Sequence, residues 1–249
     1  MEALIEEVLS SLRTRHIKAL YAENGEEARK KVLSMIPENA VVGIGDSTTM
    51  RQLGISQTLK EKGIRVLDPF EVIKTNNGSK LHLQHVRKTL RETIRSDVFL
   101  AGTNALTRDG KIVNLDAVGN RVSGMIWGHP LSIVIVGRNK IVNNLDEAFQ
   151  RIRQEIAPTH VRIRMTELGK RTPKTPCAVT GKCSDCHTPE RICNIFSVIE
   201  GKPYFTDFNV IVVDQDLGLG WDPSWPQDRI TSVIDNYRKF VWVPPEHND

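Results

Sequence analysis

The chain has 249 residues, with 34 Lys and Arg against 30 Asp and Glu, 39% apolar residues and 6% aromatic residues. A chain of this length buries roughly 70% of the surface that its unfolded form exposes, so disorder is excluded as its overall state. The net charge of +4 is spread over interspersed acidic and basic residues, which indicates neither a nucleic-acid-binding patch nor a membrane-binding surface. The acidic N-terminus and the lack of any apolar run of about 20 residues predict a cytoplasmic protein with no membrane contact.

Helical and strand patterns alternate along the first 156 residues. An amphipathic helix over 2–13, a short strand over 16–21 and a helix over 28–35 open the chain. Further strands are predicted over 40–45, 64–67, 97–101, 131–137 and 140–143, and further helices from about 50 to 61 and over 82–95, 118–127 and 144–156. Asp109-Gly110, between apolar residues, predicts a tight hairpin. The alternation predicts an α/β fold of three layers, Rossmann-like, with a mostly parallel sheet and one inserted hairpin.

The pattern changes after Pro158. Residues 158–194 contain four prolines and every cysteine, so we expect an irregular, Cys-rich insertion there. Strands over 195–199 and 209–213 are expected to rejoin or edge the sheet. Residues 215–249 are expected to form a tail that packs over the body, with a short helix near 228–239. The whole chain, 1–249, is thus predicted to be one α/β domain that carries the insertion.

All the cysteines fall within seventeen positions, at Cys177, Cys183, Cys186 and Cys193. A secreted fold stapled by disulfides would distribute its cysteines along the chain. Two cysteines separated by two residues can direct both sulfurs at one metal, and two more nearby complete four soft ligands. Lys182 and Arg191 are placed to offset the charge of the thiolates. The spacing therefore predicts one metal site, with four unrelated reduced thiols as the alternative.

The identity of the metal is open between iron–sulfur and zinc. Structural zinc sites usually show two cysteine pairs with short spacing, and here Cys183 and Cys186 alone form such a pair. A [4Fe-4S] cluster accepts less regular spacings. The spacing favours a [4Fe-4S] cluster, with zinc as the alternative.

A glycine turn follows the strand predicted over 40–45. Its glycines, hydroxyl groups and free helix amides could hold a phosphate or a carboxylate. The residues concerned are Gly45, Asp46, Ser47, Thr48, Thr49 and Arg51. The alternative is a plain strand-to-helix turn capped by Asp46 or Ser47. The turn lacks the Walker ending and the third glycine of a dinucleotide fingerprint, which disfavours ATP and NAD.

A second polar segment follows the strand predicted over 97–101, and it contains Gly102, Thr103, Asn104, Asp116, Asn120 and Arg121. Because ligands of open parallel sheets bind beyond the carboxyl ends of the strands, we expect both segments to face one crevice. Arg121 could bind a carboxylate through two hydrogen bonds, while the Asn and Asp side chains orient a polar substrate. A turn-forming role is the alternative for Asn120.

Five segments, taken in order, resemble the LUD-domain family of lactate-utilisation proteins. They are Gly43–Thr49, Gly102–Gly110, Asn114–Asp116, Gly119–Val122 and Val136–Val142. The resemblance covers about residues 5–200. It implies a fold similar to the sugar-phosphate isomerases and CoA transferases of the NagB/RpiA type, whose sheet carries a comparable turn for phosphate or substrate.

The resemblance also implies a place in lactate metabolism, because some members belong to an iron–sulfur-dependent system that oxidises lactate to pyruvate with partner subunits. The expected function is an iron–sulfur enzyme or oxidoreductase subunit of 2-hydroxy-acid utilisation, which binds a small carboxylate or phosphorylated ligand. Its expected partners are a redox subunit or a second copy of the chain. The alternative is a non-catalytic assembly or electron-relay subunit with a structural four-cysteine metal site. No catalytic residue is implied.

Overall fold

The structure, a computed structural model, describes residues 2–71, 78–170 and 174–243, and for residues 78–83 it describes the backbone alone. The strands of the described part are β1 (Lys18–Ala22), β2 (Val41–Ile44), β3 (Arg65–Leu67), β4 (Val98–Gly102), β5 (Ala105–Thr107), β6 (Ile112–Asp116), β7 (Leu131–Gly137), β8 (Ile141–Val142), β9 (Ile195–Ile199) and β10 (Asp207–Val213). The α-helices are α1 (Glu2–Thr14), α2 (Gly25–Met35), α3 (Thr48–Gln52), α4 (Ile55–Glu61), α5 (Gly78–Thr93), α6 (Asn120–Ile126), α7 (Leu145–Arg151), α8 (Ala157–Val161), α9 (Pro176–Thr180) and α10 (Gln227–Phe240).

The central sheet has six parallel strands in the order β1-β10-β7-β4-β2-β3. Apolar side chains cover both of its faces, as parallel strands between helix layers require. Along β7, Ile133 and Ile135 pack against α2, α3 and α4, while Val134 and Val136 face α1 on the opposite side. The predicted three-layer, Rossmann-like α/β fold with a mostly parallel sheet is confirmed.

A second sheet has four strands in the order β8-β5-β6-β9 and differs from the single hairpin expected from the sequence. The hairpin exists, since β5 and β6 pair antiparallel around Gly110, which adopts a positive φ of 84°. The hairpin is extended by β8 on one edge and β9 on the other. The expectation that 195–199 would join the main sheet was therefore wrong, whereas 209–213 lies inside that sheet as part of β10.

A continuous helix over 145–167, called the long helix below, covers the outer face of the second sheet together with α10. It consists of α7, a π-helical stretch over Ile152–Ile156, α8, and a second π-helical stretch over Arg162–Glu167. Pro158 lacks an N–H to donate within a helix, and wider π turns are a known way to accommodate such a break. The irregular part of the predicted insertion thus begins after residue 167 rather than at 158.

The end of β7 is joined to the loop after β10 by two side chains. Asn139, fully buried, donates its amide to Gly220 O at 2.8 Å and accepts from Leu217 N at 2.9 Å. Arg138 pairs with Asp214 at 2.9 Å and with Asp216 at 3.0 Å. These contacts place residues 214–220 beside the carboxyl ends of the parallel strands and lead the chain into α10.

We expect Asn139→Ala to lower the free energy of unfolding by about 3 kcal/mol, because it leaves a buried N–H and a buried carbonyl without partners. Urea unfolding monitored by circular dichroism measures the change. The exposed Asn143 provides the matched control, and its replacement by Ala should cost less than about 1 kcal/mol. Equal effects of the two substitutions would contradict the proposed role of Asn139.

Candidate functional site

Polar residues collect where four neighbouring parallel strands end. The carboxyl edge is defined here as residues 45–52, 102–104, 138–140 and 214–220, which follow β2, β4, β7 and β10. The first segment is joined to β4 by the hydrogen bond from Gly45 N to Leu100 O at 3.0 Å. This is the edge at which ligands of open α/β sheets bind.

The two glycine-containing segments singled out in the sequence lie side by side. A Cβ built on Gly45 would lie 3.4 Å from Arg121 Cγ, and one built on Gly102 would lie 2.7 Å from Ser47 Oγ. A glycine at 102 is therefore needed for the hydroxyl of Ser47 to approach the end of β4. Ser47 and Thr49 are both buried, and Ser47 also accepts from Met50 N as the cap of α3.

Arg121, expected to grip a substrate carboxylate, is held by partners within the protein. Its guanidinium pairs with Asp116 and donates to Asn104 Oδ1 at 2.7 Å and Leu115 O at 3.1 Å. Both charged side chains are nearly buried, with exposed fractions of 12% for Arg121 and 4% for Asp116. These contacts join the end of β6 to the start of α6, and the negative charge of Asp116 offsets the positive charge of Arg121.

Thr103 and Asn120 complete the second segment. The hydroxyl of Thr103 donates to the carbonyls of Ala105 and Val113, so it stabilises the hairpin. Asn120 opens α6 after Gly119, and its Nδ2 is buried without a hydrogen-bond partner in the described part of the chain.

Arg51 is likewise paired, with Asp46 at 2.8 Å, and it also donates to Phe240 O at 2.6 Å. It thereby attaches the end of α10 to the carboxyl edge. Burial alone would raise the pKa of Asp46, but the positive charges of Arg51 and Arg164 hold it below its usual range. Asp46 is an anion at neutral pH.

A hydrogen-bonded group beside Asp46 comes from parts of the chain that the sequence analysis did not connect. His160 of the long helix meets the hydroxyl of Tyr237 of α10, which also hydrogen-bonds to Thr48. Burial lowers the pKa of His160 to about 3, and the nearby Arg164 acts in the same direction. The imidazole is therefore neutral at pH 7 and contributes hydrogen-bonding capacity rather than charge.

Lys140, also missed as a site residue, lies in a short 3₁₀ turn after β7 and is only 5% exposed. Its Nζ donates to Thr49 Oγ1 at 3.2 Å, and no carboxylate in the described ranges pairs with it. Burial lowers the pKa of Lys140 to about 7, with a further contribution from the positive charge of Arg121. The amine is thus a buried cation of the carboxyl edge that is close to losing its charge.

The four cysteines line one pocket beside the long helix. All four are free thiols, Cys177 on α9 being buried and the other three half-buried. Burial and the neighbouring thiols raise the pKa of Cys177 and raise that of Cys193 to about 11. Across residues 2–71, 78–170 and 174–243, no three His, Cys, Asp or Glu side chains are grouped closely enough to hold a metal ion.

Two arginines organise the loop of this pocket. Arg191 donates to Cys186 O at 2.5 Å and to Cys193 O at 2.9 Å, which draws these two segments together. Asp185, in a left-handed conformation, pairs with Arg191 at 2.8 Å and with Arg153 of the long helix at 3.1 Å. Arg153 and Arg191 both line the pocket, whereas the expected Lys182 does not lie among the lining residues.

The long helix contacts both sites. Arg153, Ala157 and Val161, spaced four residues apart, line the cysteine pocket. His160 and Arg164, also four apart, act on Asp46 at the carboxyl edge. Ala157, His160, Val161 and Arg164 have the spacing of neighbours on one side of a helix, so this side of the long helix borders both the cysteine pocket and the carboxyl edge.

These features define an α/β protein with a polar site at the carboxyl edge of a parallel sheet and a four-cysteine pocket beside it. The sequence matches the family model of the LUD domain over residues 5–213, and the chain belongs to this family. The family is linked to lactate utilisation.

Other comparisons give little beyond the family. No curated protein matches the sequence. A crystal structure of a DUF162 family protein from Deinococcus radiodurans at 1.70 Å resolution aligns with a TM-score of 0.47 and 11% identity, over 85% of this chain and 97% of that one. None of the helices in the described ranges has the length and apolar character needed to cross a bilayer.

We expect the stability of the wild type relative to Lys140→Met to rise with pH above about 7. The pKa of Lys140 falls from 10.5 to about 7 on folding, so between these values the unfolded chain binds more protons than the folded one. The difference in free energy of unfolding should increase by up to about 1.4 kcal/mol per pH unit, and should level off below pH 7. Urea unfolding of both proteins at pH 6, 7, 8 and 9 measures it, and a constant difference would show that the amine is not desolvated.

Proposed function

We propose that the chain is an iron–sulfur subunit of lactate-type 2-hydroxy-acid utilisation, which binds a small carboxylate at its carboxyl edge. The observation that carries this proposal is the gathering of all four cysteines in one pocket, on the helix that also contacts the carboxyl edge.

The four thiols of the pocket are the type of donor that a [4Fe-4S] cluster uses, and binding a cluster would require them to move closer together than they stand in this structure. Such clusters are held by four cysteine thiolates, and their charge is stabilised by nearby cations and hydrogen bonds. Cys177, Cys183, Cys186 and Cys193 would hold the cluster, with Arg153 and Arg191 offsetting the negative charge. The alternative, a structural zinc ion, would use the same four thiolates. When bound, a cluster would transfer single electrons or act as a Lewis acid toward a substrate oxygen.

The carboxyl edge has the polarity that a small hydroxy or keto acid needs. Hydroxyl groups of Ser47 and Thr49 and the amine of Lys140 are buried there, close to the end of β4. The neutral His160 and the hydroxyl of Tyr237 form a second polar wall beside Asp46. These groups could orient the hydroxyl and carboxylate of one ligand without a nucleotide-binding motif; a phosphorylated acid is the larger alternative.

An exposed aromatic pair favours a second candidate function, an electron-relay or assembly subunit that docks on a redox partner. Tyr204 and Phe205 are 88% and 78% exposed, with their rings 5.1 Å apart, just before β10. Exposed aromatic side chains of this kind are enriched where proteins bind each other. In this case the carboxyl edge would bind no acid.

Anaerobic reconstitution with iron and sulfide should give a brown protein with about four irons per chain and broad absorbance near 400 nm, as expected for a [4Fe-4S] cluster. Cys193→Ser should lose most of this absorbance, because it removes one of the four ligands. Ser184→Ala is the matched control, since Ser184 lines the same pocket without a thiol. A colourless protein that binds one zinc would replace the iron–sulfur assignment by zinc, and a protein that binds neither would overturn the metal site.

Isothermal titration of the wild type with lactate, pyruvate and a sugar phosphate separates the two functions. We expect binding of lactate or pyruvate in the micromolar to millimolar range. If none of the acids binds, and Tyr204→Ser with Phe205→Ser abolishes co-purification of a larger redox subunit, the relay function replaces the enzymatic one.

A further inference from the structure

We propose that Lys140 is the anion-binding residue of the carboxyl edge, and that its Nζ, with Ser47, Thr49 and Gln52, binds the carboxylate of a small 2-hydroxy or 2-oxo acid. These four residues, flanked by Gly102 and Gly218, are called the Lys140 cluster. The inference deepens the proposed function and rests on it for the class of ligand. The sequence pattern predicts Arg51 and Arg121 as the anion-binding cations, whereas this inference gives that role to Lys140.

Among the cations in and around the carboxyl edge, the arginines named next have carboxylate partners, whereas Lys140 has none in the described ranges. Arg121 is balanced by Asp116, Arg51 by Asp46, and Arg138 by Asp214 together with Asp216. Lys140 is more deeply buried than these arginines, yet in the described ranges its Nζ donates to the hydroxyl of Thr49, and the charge that acts on it is the positive one of Arg121. An unpaired buried charge is costly, and an anionic ligand would remove that cost.

The Lys140 cluster also has more hydrogen-bond donors than the acceptors of the described residues use. An ammonium group has three donors, and Thr49 accepts from one of them. Gln52 uses its Oε1 to accept from Gly218 N at 2.6 Å, while its Nε2 is buried without a partner in the part of the chain that the structure describes. The hydroxyl oxygen of Ser47 already accepts from Met50 N, which leaves its hydrogen free. Surplus donors around a cation are the arrangement that binds an oxyanion.

Two glycines let the backbone approach the cluster closely. A Cβ on Gly218 would lie 2.6 Å from Lys140 Nζ and 2.8 Å from Thr49 Oγ1, and Gly218 also has a positive φ of 68°. On the other side, a Cβ on Gly102 would lie 2.7 Å from Ser47 Oγ. Side chains at either position would push into the polar groups themselves. Because the backbone comes so close to these groups, the cluster favours a small anion such as a carboxylate over a larger group.

The test is isothermal titration at pH 7 of the wild type, Lys140→Met and Thr49→Val with lactate, pyruvate and inorganic phosphate. We expect the tighter acid to bind about 10- to 100-fold more weakly to Lys140→Met, the loss typical of one charge-assisted hydrogen bond. Thr49→Val, nearly the same shape without the hydroxyl, should weaken binding several-fold. The exposed Lys88 of α5 is the matched control, and Lys88→Met should bind as the wild type does.

The stability of the variants distinguishes ligand binding from a structural role. Without ligand, Lys140→Met should melt at the same temperature as the wild type or higher, because a buried charge is replaced by an apolar side chain of similar length. Saturating acid should raise the melting temperature of the wild type and leave that of Lys140→Met unchanged. A variant that melts lower and still binds the acid normally would make Lys140 a structural residue and overturn the inference.

The remaining outcomes separate this inference from the proposed function. If the wild type binds an acid and Lys140→Met binds it equally well, the inference fails and the function stands. A further outcome is that the wild type binds phosphate but neither lactate nor pyruvate, and that Lys140→Met binds phosphate more weakly. In that case Lys140 binds anions as inferred, and the 2-hydroxy-acid function fails. If the wild type binds none of the three anions, both are overturned.

Discussion

The two sites of this protein depend on the packing of one helix, residues 145–167. Its apolar side chains Ala148, Ile152, Ile156 and Ile163 are buried against the second sheet and α10, so its position is set by a core rather than by a loop. With that position fixed, Arg153 and Val161 face the cysteine pocket while His160 and Arg164 act on Asp46.

Most of the charged side chains at the carboxyl edge are paired within the protein. The arginines carry structural duties: Arg51 holds α10, Arg121 holds the start of α6, and Arg138 holds the loop after β10. Each of these arginines pairs with a carboxylate of the protein itself. Within the described ranges Lys140 pairs with no carboxylate, and its burial costs stability that the anion we propose would recover.

Local patterns in the sequence predict most of the fold, because helical spacing and buried apolar runs are local properties. They predict the strands at 131–137 and 209–213 and the Asp109-Gly110 hairpin. The pairing of β9 with β6 and the continuation of the long helix past Pro158 depend on tertiary partners, so local patterns do not predict them. The same limit applies to function. The four cysteines can be recognised from their spacing in the sequence. Lys140, His160 and Tyr237 come close to their partners at the carboxyl edge only in the folded chain.

We propose that the four cysteines hold an iron–sulfur cluster and that Lys140 binds a carboxylate at the carboxyl edge. A crystal structure of anaerobically prepared protein with pyruvate, measured at the iron absorption edge, tests both assignments at once. We expect an iron anomalous peak among Cys177, Cys183, Cys186 and Cys193, and a carboxylate within hydrogen-bond distance of Lys140 Nζ. Zinc or no metal among the cysteines, together with pyruvate held elsewhere or by Arg121 alone, would contradict these assignments.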